Sequence, residues 1–262
     1  MPLPDSLRSC SALLLLLCAM SVPATAAEPP GVAIVELFTS EGCSSCPAAD
    51  RVLAQIVSQQ AKSKVPVPVY GLVFHVDYWD RLGWPDRFAH RRYTERQQLY
   101  ARVLESDRVY TPQMIVNGRT EFVGSNTKLA DLAIQHARAA APQVAVQASL
   151  LRLDKDKVRV RYDLDKLVTG TVLNVALVET DLTTNVRRGE NSGATLKHAN
   201  AVRVWETVDP PSGRTDHVEL TVPKDLRHDH SRVIVYIQNR ETMEVLGATQ
   251  TDLLSLAKTD EK

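Results

Sequence analysis

From Val32 to Phe38 the chain reads V-A-I-V-E-L-F, an apolar, β-branched run that predicts a buried strand with one acid inside it. Ala48 to Gln59 follows with Val52, Leu53, Ile56 and Val57 at helical spacing. Val67 to Val76 reads as a second strand. Asp86 to Glu105 reads as a helix with Phe88, Leu99 and Val103 on one face. Met114–Val116 and Thr120–Val123 flank Asn117-Gly118, a two-residue hairpin signal. Ser125 can cap a last helix from about Lys128 to Ala141, which Pro142 ends. The expected order over residues 30–141 is βαβαββα.

After Pro142 the apolar period becomes two. Val144, Val146 and Ala148 alternate with polar residues, as do Val158, Val160 and Tyr162, and Leu173, Val175 and Leu177. Val202 with Val204, then Val218 to Val222, Val233 to Ile237 and Val245 with Leu246 continue the pattern. About seven short strands over 143–257 predict an all-β sandwich as a second domain.

The first 26 residues read as an address. A short segment with Arg8 precedes an apolar stretch containing Leu13–Leu17, and Ala24-Thr25-Ala26 supplies an A-x-A cleavage site. The apolar stretch is too short to span a bilayer, and no later segment is long enough. The expectation is a signal peptide over 1–26 and a periplasmic or secreted mature chain without a transmembrane segment. The chain carries 31 Lys+Arg against 31 Asp+Glu. That balance argues against a nucleic-acid partner.

Export changes how the cysteines are read. Removing the leader takes away Cys10 and Cys18 and leaves Cys43 and Cys46 in C-S-S-C. An oxidising compartment allows this pair to form a disulfide. Loop-closure entropy gives about 2 kcal/mol for a four-residue loop against about 3 for fifteen, so the spacing suits chemistry better than stabilisation. The pair falls between the first strand and the first helix. Unpaired amides and the helix dipole there favour a thiolate on Cys43, while Cys46 sits one turn further in and is less exposed. An attacking and a resolving thiol are what disulfide exchange needs. Thr111-Pro112 directly precedes the third strand, where thioredoxins carry a cis-proline facing their C-x-x-C; an ordinary trans proline opening an edge strand is the alternative.

Val35 to Asp50, Phe74 to Asp80 and Tyr110 to Met114 resemble the secreted bacterial family called domain of unknown function 1223. Arg188-Gly189-Glu190-Asn191 with His198 and Asn200 is similar to the same family. The resemblance implies a thioredoxin-like fold and export, and no settled activity.

Glu36 matches the place where thioredoxins bury a proton-relaying acid, though seven residues separate it from Cys43, one more than usual; a hydrogen-bonded carboxylate at the strand end is the other reading. His75 and Asp77 end the second strand on the sheet edge that carries Cys43. His75 could act there as base or cation, or as a satisfied structural residue. Tyr78, Trp79 and Trp84 could dock a partner or close the core. Arg87, Arg91 and Arg102 read as a solvated face. Arg188, Glu190, Asn191, His198 and Asn200 read as a polar network pinning a hairpin to the first domain. His228 and His230 read as surface residues.

The catalytic set read from sequence is Cys43, Cys46, Pro112, Glu36 and His75, with no cofactor. It points to thiol–disulfide exchange with protein partners. Two alternatives remain at this stage: soft Cu(I) held by Cys43, Cys46 and His75, or an envelope assembly module acting through the sandwich.

Overall fold

The computed structural model describes residues 31–62, 68–154, 156–208 and 213–253. The leader and Val67 lie outside the described residues. The first half contains β1 (Ala33–Thr39), α1 (Cys46–Lys62), β2 (Val69–His75), α2 (Arg91–Val103), β3 (Gln113–Val116), β4 (Thr120–Val123) and α3 (Thr127–Arg138). The second half contains β5 (Val146–Asp154), β6 (Lys157–Leu164), β7 (Thr171–Glu179), β8 (Leu182–Asn185), β9 (Thr195–His198), β10 (Ala201–Val208), β11 (Thr215–Thr221), β12 (Ser231–Asn239) and β13 (Val245–Asp252).

The first seven elements follow the βαβαββα order. Helix α2 starts later than the periodicity suggests. Asp86 is withdrawn from any helix because its Oδ1 accepts from Phe88 N and its Oδ2 from Glu41 N. The helix begins at Arg91 instead, capped by His90, whose side chain accepts from Arg92 N. Asn126, not Ser125, caps α3.

The expectation of a separate sandwich domain after Pro142 is corrected. One eight-stranded sheet, ordered β13-β12-β7-β10-β2-β1-β3-β4, runs through both halves. The seam is parallel pairing of β10 with β2 at Ala201 and Val73. Asn200, at φ 54°, stitches it: Val73 N donates to Asn200 O, and Asn200 Nδ2 donates to Gly71 O at 2.9 Å. A second sheet, β11-β6-β5, covers only the second-half strands.

Side-chain alternation explains why these strands join. In β1, Ala33, Val35 and Leu37 face α1 and α3, while Ile34 and Phe38 face α2. In β7 and β12, Val175, Leu177, Val233 and Val235 face the three-stranded sheet. Ala176, Val178, Ile234 and Tyr236 share the α2 core with Phe74, Tyr93 and Tyr100. Strands buried on both faces read as nearly continuous apolar runs, as V-I-V-Y-I does in β12. Period two is therefore only part of their pattern, and a core shared by both halves forms around α2. The strands β8 and β9 pair as a hairpin outside both sheets.

Candidate functional site

Strand β1 ends at Thr39, and the chain turns at once into α1. The turn is held by Cys43 N donating to Ser40 O, Gly42 N to Ser40 Oγ, and Cys46 N to Cys43 O. Cys43 and Cys46 are joined in a disulfide with Cα atoms 5.4 Å apart. Both are fully buried, while Ser44 and Ser45 between them are exposed. The expected difference in exposure between the two sulfurs is therefore corrected. The loop joining β8 and β9 reaches the turn, where Asn191 Nδ2 donates to Glu41 O and Cys43 O.

The thiol pair sits above a buried ionisable cluster. His75 ends β2 on the same sheet face as Val69 and Val73, which pack on α1; it pairs in register with Thr39 of β1. His75 Nδ1 donates to Asp86 Oδ2 at 2.6 Å. Burial alone would depress His75, but the Asp86 carboxylate outweighs it and raises the imidazole above its ordinary value. Burial likewise opposes ionisation of Asp86, and the charge and hydrogen bond of His75 carry it below the usual carboxylate range. The His198 ring lies 5.0 Å from that of His75, centroid to centroid. Its Nε2 donates to Glu41 Oε1 at 3.0 Å, and Glu41 Oε2 accepts from Trp84 Nε1 at 2.8 Å. Against the cost of burial, these bonds hold the Glu41 carboxyl low.

Asp50 completes the cluster. It is one helical turn beyond Cys46, so the two share a face of α1. The residue is half-buried but its Oδ1 is enclosed, and neither that atom, His75 Nε2 nor His198 Nδ1 has a hydrogen-bond partner among the described residues. Burial pushes the Asp50 carboxyl above its ordinary value, with the imidazoles of His75 and His198 opposing the shift.

Glu36 is not brought to the cysteines. It lies on the α2 face of β1, opposite the face that carries α1. Its Oε2 accepts from Arg96 Nε and its Oε1 from Arg96 Nη2 and Tyr100 OH, each at 2.7 Å. Both carboxylate oxygens are thus committed to a buried ion pair, and Arg96 Nη2 also reaches Gln238 of β12. The one-residue difference in spacing noted above has turned this side chain to the other side of the sheet. The proton-relay expectation for Glu36 gives way to a joint between α2 and the second half.

Thr111-Pro112 is cis. Phe38 pairs with Gln113, so the register continued by one residue sets Pro112 opposite Thr39, near the thiol turn. Trp79 Nε1 donates to Thr111 Oγ1 at 2.8 Å. Trp79 and Trp84 are half-buried, and their Nε1 groups tie the loops around the site to Thr111 and Glu41.

The second half contributes Asn191 and His198 as above, and Glu190, whose Oε2 accepts from Ser44 N at 3.0 Å. Arg188 is exposed. Sequence reading missed Asp50, Asp86 and Glu41 as site members. The signal for Asp50 was its spacing of four from Cys46; Asp86 was hidden as an assumed helix residue. Among the described residues no three His, Cys, Asp or Glu side chains are grouped to hold a metal ion. In the Cu(I) set of Cys43, Cys46 and His75, the His75 Nδ1 is engaged by Asp86 and the two sulfurs are bonded to each other in this oxidised form.

Among curated proteins none matches the chain. A crystal structure of a protein from Agrobacterium tumefaciens, solved by a structural genomics consortium, is similar with a TM-score of 0.63 at 29% identity, covering 84% of this chain and 94% of that one. A domain of the outer membrane lipoprotein Omp28 from Porphyromonas gingivalis aligns with a TM-score of 0.28 at 10% identity, over 43% of this chain and 89% of that one. The model of the family described as protein of unknown function, DUF1223, matches residues 34–238, and the chain belongs to that family.

Proposed function

We propose that this protein is an exported, thioredoxin-like thiol–disulfide exchange protein acting through Cys43 and Cys46. The observation that carries the reading is the disulfide at the turn into α1, beside a buried cluster in which polar atoms of Asp50, His75 and His198 have no hydrogen-bond partner among the described residues. A bridge kept for stability alone gains little from a loop this short. Buried polar atoms without partners cost free energy, and a redox or catalytic role is one reason for keeping them.

In the reducing direction the Cys43 thiolate attacks one sulfur of a partner disulfide. A mixed disulfide forms, and the first partner sulfur leaves as a thiolate. Cys46 then loses its proton and attacks the Cys43 sulfur, which releases the second partner sulfur as a thiolate. Two electrons have passed to the partner, and Cys43–Cys46 is oxidised. The reverse sequence oxidises a partner dithiol. Asp50 is the group best placed to take the Cys46 proton, because it shares a helix face with Cys46 and its raised carboxyl lies nearer the working pH than a free one. His75, ion-paired with Asp86, is the positive group that offsets Asp50 when it ionises.

The order β2-β1-β3-β4, with β1 parallel to β2 and antiparallel to β3, supports the thioredoxin-like reading of the first half. Export rests on residues 1–26, and N-terminal sequencing of periplasmic protein tests it: a start at Met1 would contradict it. The exchange role is tested by redox equilibration of the mature chain in glutathione buffers. A reversible two-electron transition of the Cys43–Cys46 pair is expected, and a pair that stays oxidised or reduced at every ratio would overturn the reading.

A further inference from the structure

The loop between β8 and β9 is shaped to reach the thiol turn. Val186 O accepts from Gly193 N, Gly189 O accepts from Ser192 N, and Gly189 takes φ 79° against Trp84. A side chain at Gly189 would be strained in that left-handed conformation and would press on Trp84 Cβ. This fixed backbone delivers two side chains. Asn191 Nδ2 binds Glu41 O at 2.8 Å and Cys43 O at 2.9 Å. Glu190 Oε2 accepts from Ser44 N at 3.0 Å.

We infer that Glu190 and Asn191 are positioning residues for the exchange chemistry: Asn191 clamps the turn and shuts Cys43 away from solvent, and the Glu190 carboxylate, seated on the amide that follows Cys43, makes the Cys43 thiolate harder to form. The inference rests on the exchange reading above and adds its control. Amides at the start of a helix ordinarily stabilise a thiolate in this position. Glu190 occupies the Ser44 amide and adds a negative charge at the residue that follows Cys43, and a nearby like charge disfavours the ionised form. Its own carboxyl is held below the usual range by its hydrogen bonds to Ser44, so it is ionised at neutral pH. The other ionisable groups around the turn are Glu41 with His198, His75 with Asp86, and Asp50. Arg187 and Arg188 flank the loop, and Arg87 reaches Thr183 O. Partner engagement that lifts the loop would uncover Cys43 and free the Ser44 amide together, so access and reactivity rise in one step.

The test uses the mature chain carrying Cys46→Ala, which leaves Cys43 as its one thiol. Thiolate formation is followed by ultraviolet absorbance against pH, and access by the alkylation rate at a pH where the thiol is fully ionised. Glu190→Gln keeps an acceptor for Ser44 N and removes the charge. It is expected to lower the Cys43 midpoint by about half to one unit, with the gap to the parent narrowing as salt is added. Asn191→Ala is expected to raise the alkylation rate several-fold and to move the midpoint less than Glu190→Gln does. A midpoint unmoved or raised in Glu190→Gln, or an Asn191→Ala protein that alkylates no faster, overturns the inference. Should Glu190→Gln fold poorly, the parent alone serves: its midpoint must fall as salt screens the carboxylate. Capture of partner thiols by the same Cys46→Ala chain separates the two claims. Capture with an unmoved midpoint removes the role of Glu190 alone, and a shifted midpoint without capture removes the exchange reading.

Discussion

The side-chain amide of Asn191 donates to the carbonyl oxygen of Cys43 at 2.9 Å, across 148 residues of sequence. A residue of the second half thereby closes the site of the first half, and the continuous sheet through β10 and β2 holds the two in place. Asn191→Ala removes two hydrogen bonds, each worth about 1 kcal/mol net. The expected loss is about 2 kcal/mol in urea unfolding, with faster reduction of the folded disulfide by a small dithiol. Unchanged stability and an unchanged reduction rate would show that the contact holds nothing.

Asp50 separates function from stability. Its folded-state carboxyl is raised above the unfolded value. Such a group favours the folded state below its unfolded pKa, about 3.9, and that contribution is lost as pH rises through the folded value. At neutral pH it therefore costs stability. Asp50→Asn should unfold at higher urea than the parent at pH 7, lose that advantage as pH falls towards about 4, and show a slowed release of mixed disulfides. Lower stability at pH 7 would place Asp50 in a satisfied structural role.

Glu36 gives the opposite result. Breaking one partner of a buried ion pair costs about 3–5 kcal/mol. Glu36→Gln keeps some hydrogen bonding and should lose about 3 kcal/mol, while the folded variant exchanges disulfides within about twofold of the parent. A large loss of exchange rate at unchanged stability would restore the relay role to Glu36.

The His75–Asp86 pair sets a pH window. His75 is raised when folded, so its contribution is fully present below about pH 6.5 and is lost as pH rises through the folded value. Asp86 is lowered, so its contribution is present above about pH 3.9 and is lost as pH falls through its folded value. Urea midpoints should therefore show a shoulder of added stability on the mildly acidic side of neutrality. Asp86→Asn should flatten that shoulder and lower the midpoint, because His75 then faces no carboxylate. A pH profile identical to the parent would contradict the pairing.

What the sequence made legible follows from how local each signal is. The first seven elements, the C-x-x-C and the proline before β3 are read from neighbours in the chain. The sheet continuity was hidden because Asn200, which joins β10 to β2, is one polar residue in a turn whose partners, Gly71 and Val73, are far away in sequence. Strands β8 and β9, L-T-T-N and T-L-K-H, each bury a single apolar side chain, too few to show a period. The exchange of Glu36 for Asp50 beneath the thiols depends on which face of β1 Glu36 takes, since Asp50 comes from α1 on the opposite face. The extra residue between Glu36 and Cys43 hinted at that reversal, and only the packed helices decide it.

The central claim is that Cys43 attacks and Cys46 resolves. Cys46→Ala and Cys43→Ala variants of the mature chain, each incubated with disulfide-bearing partner proteins and resolved without reductant, test it directly. Cys46→Ala should accumulate mixed disulfides on Cys43, because no second thiol remains to release the partner, and Cys43→Ala should accumulate few. Failure of both variants to capture any partner, with Cys43 ionising only near the free-thiol value of about 8.5 even after Glu190→Gln, would contradict the account.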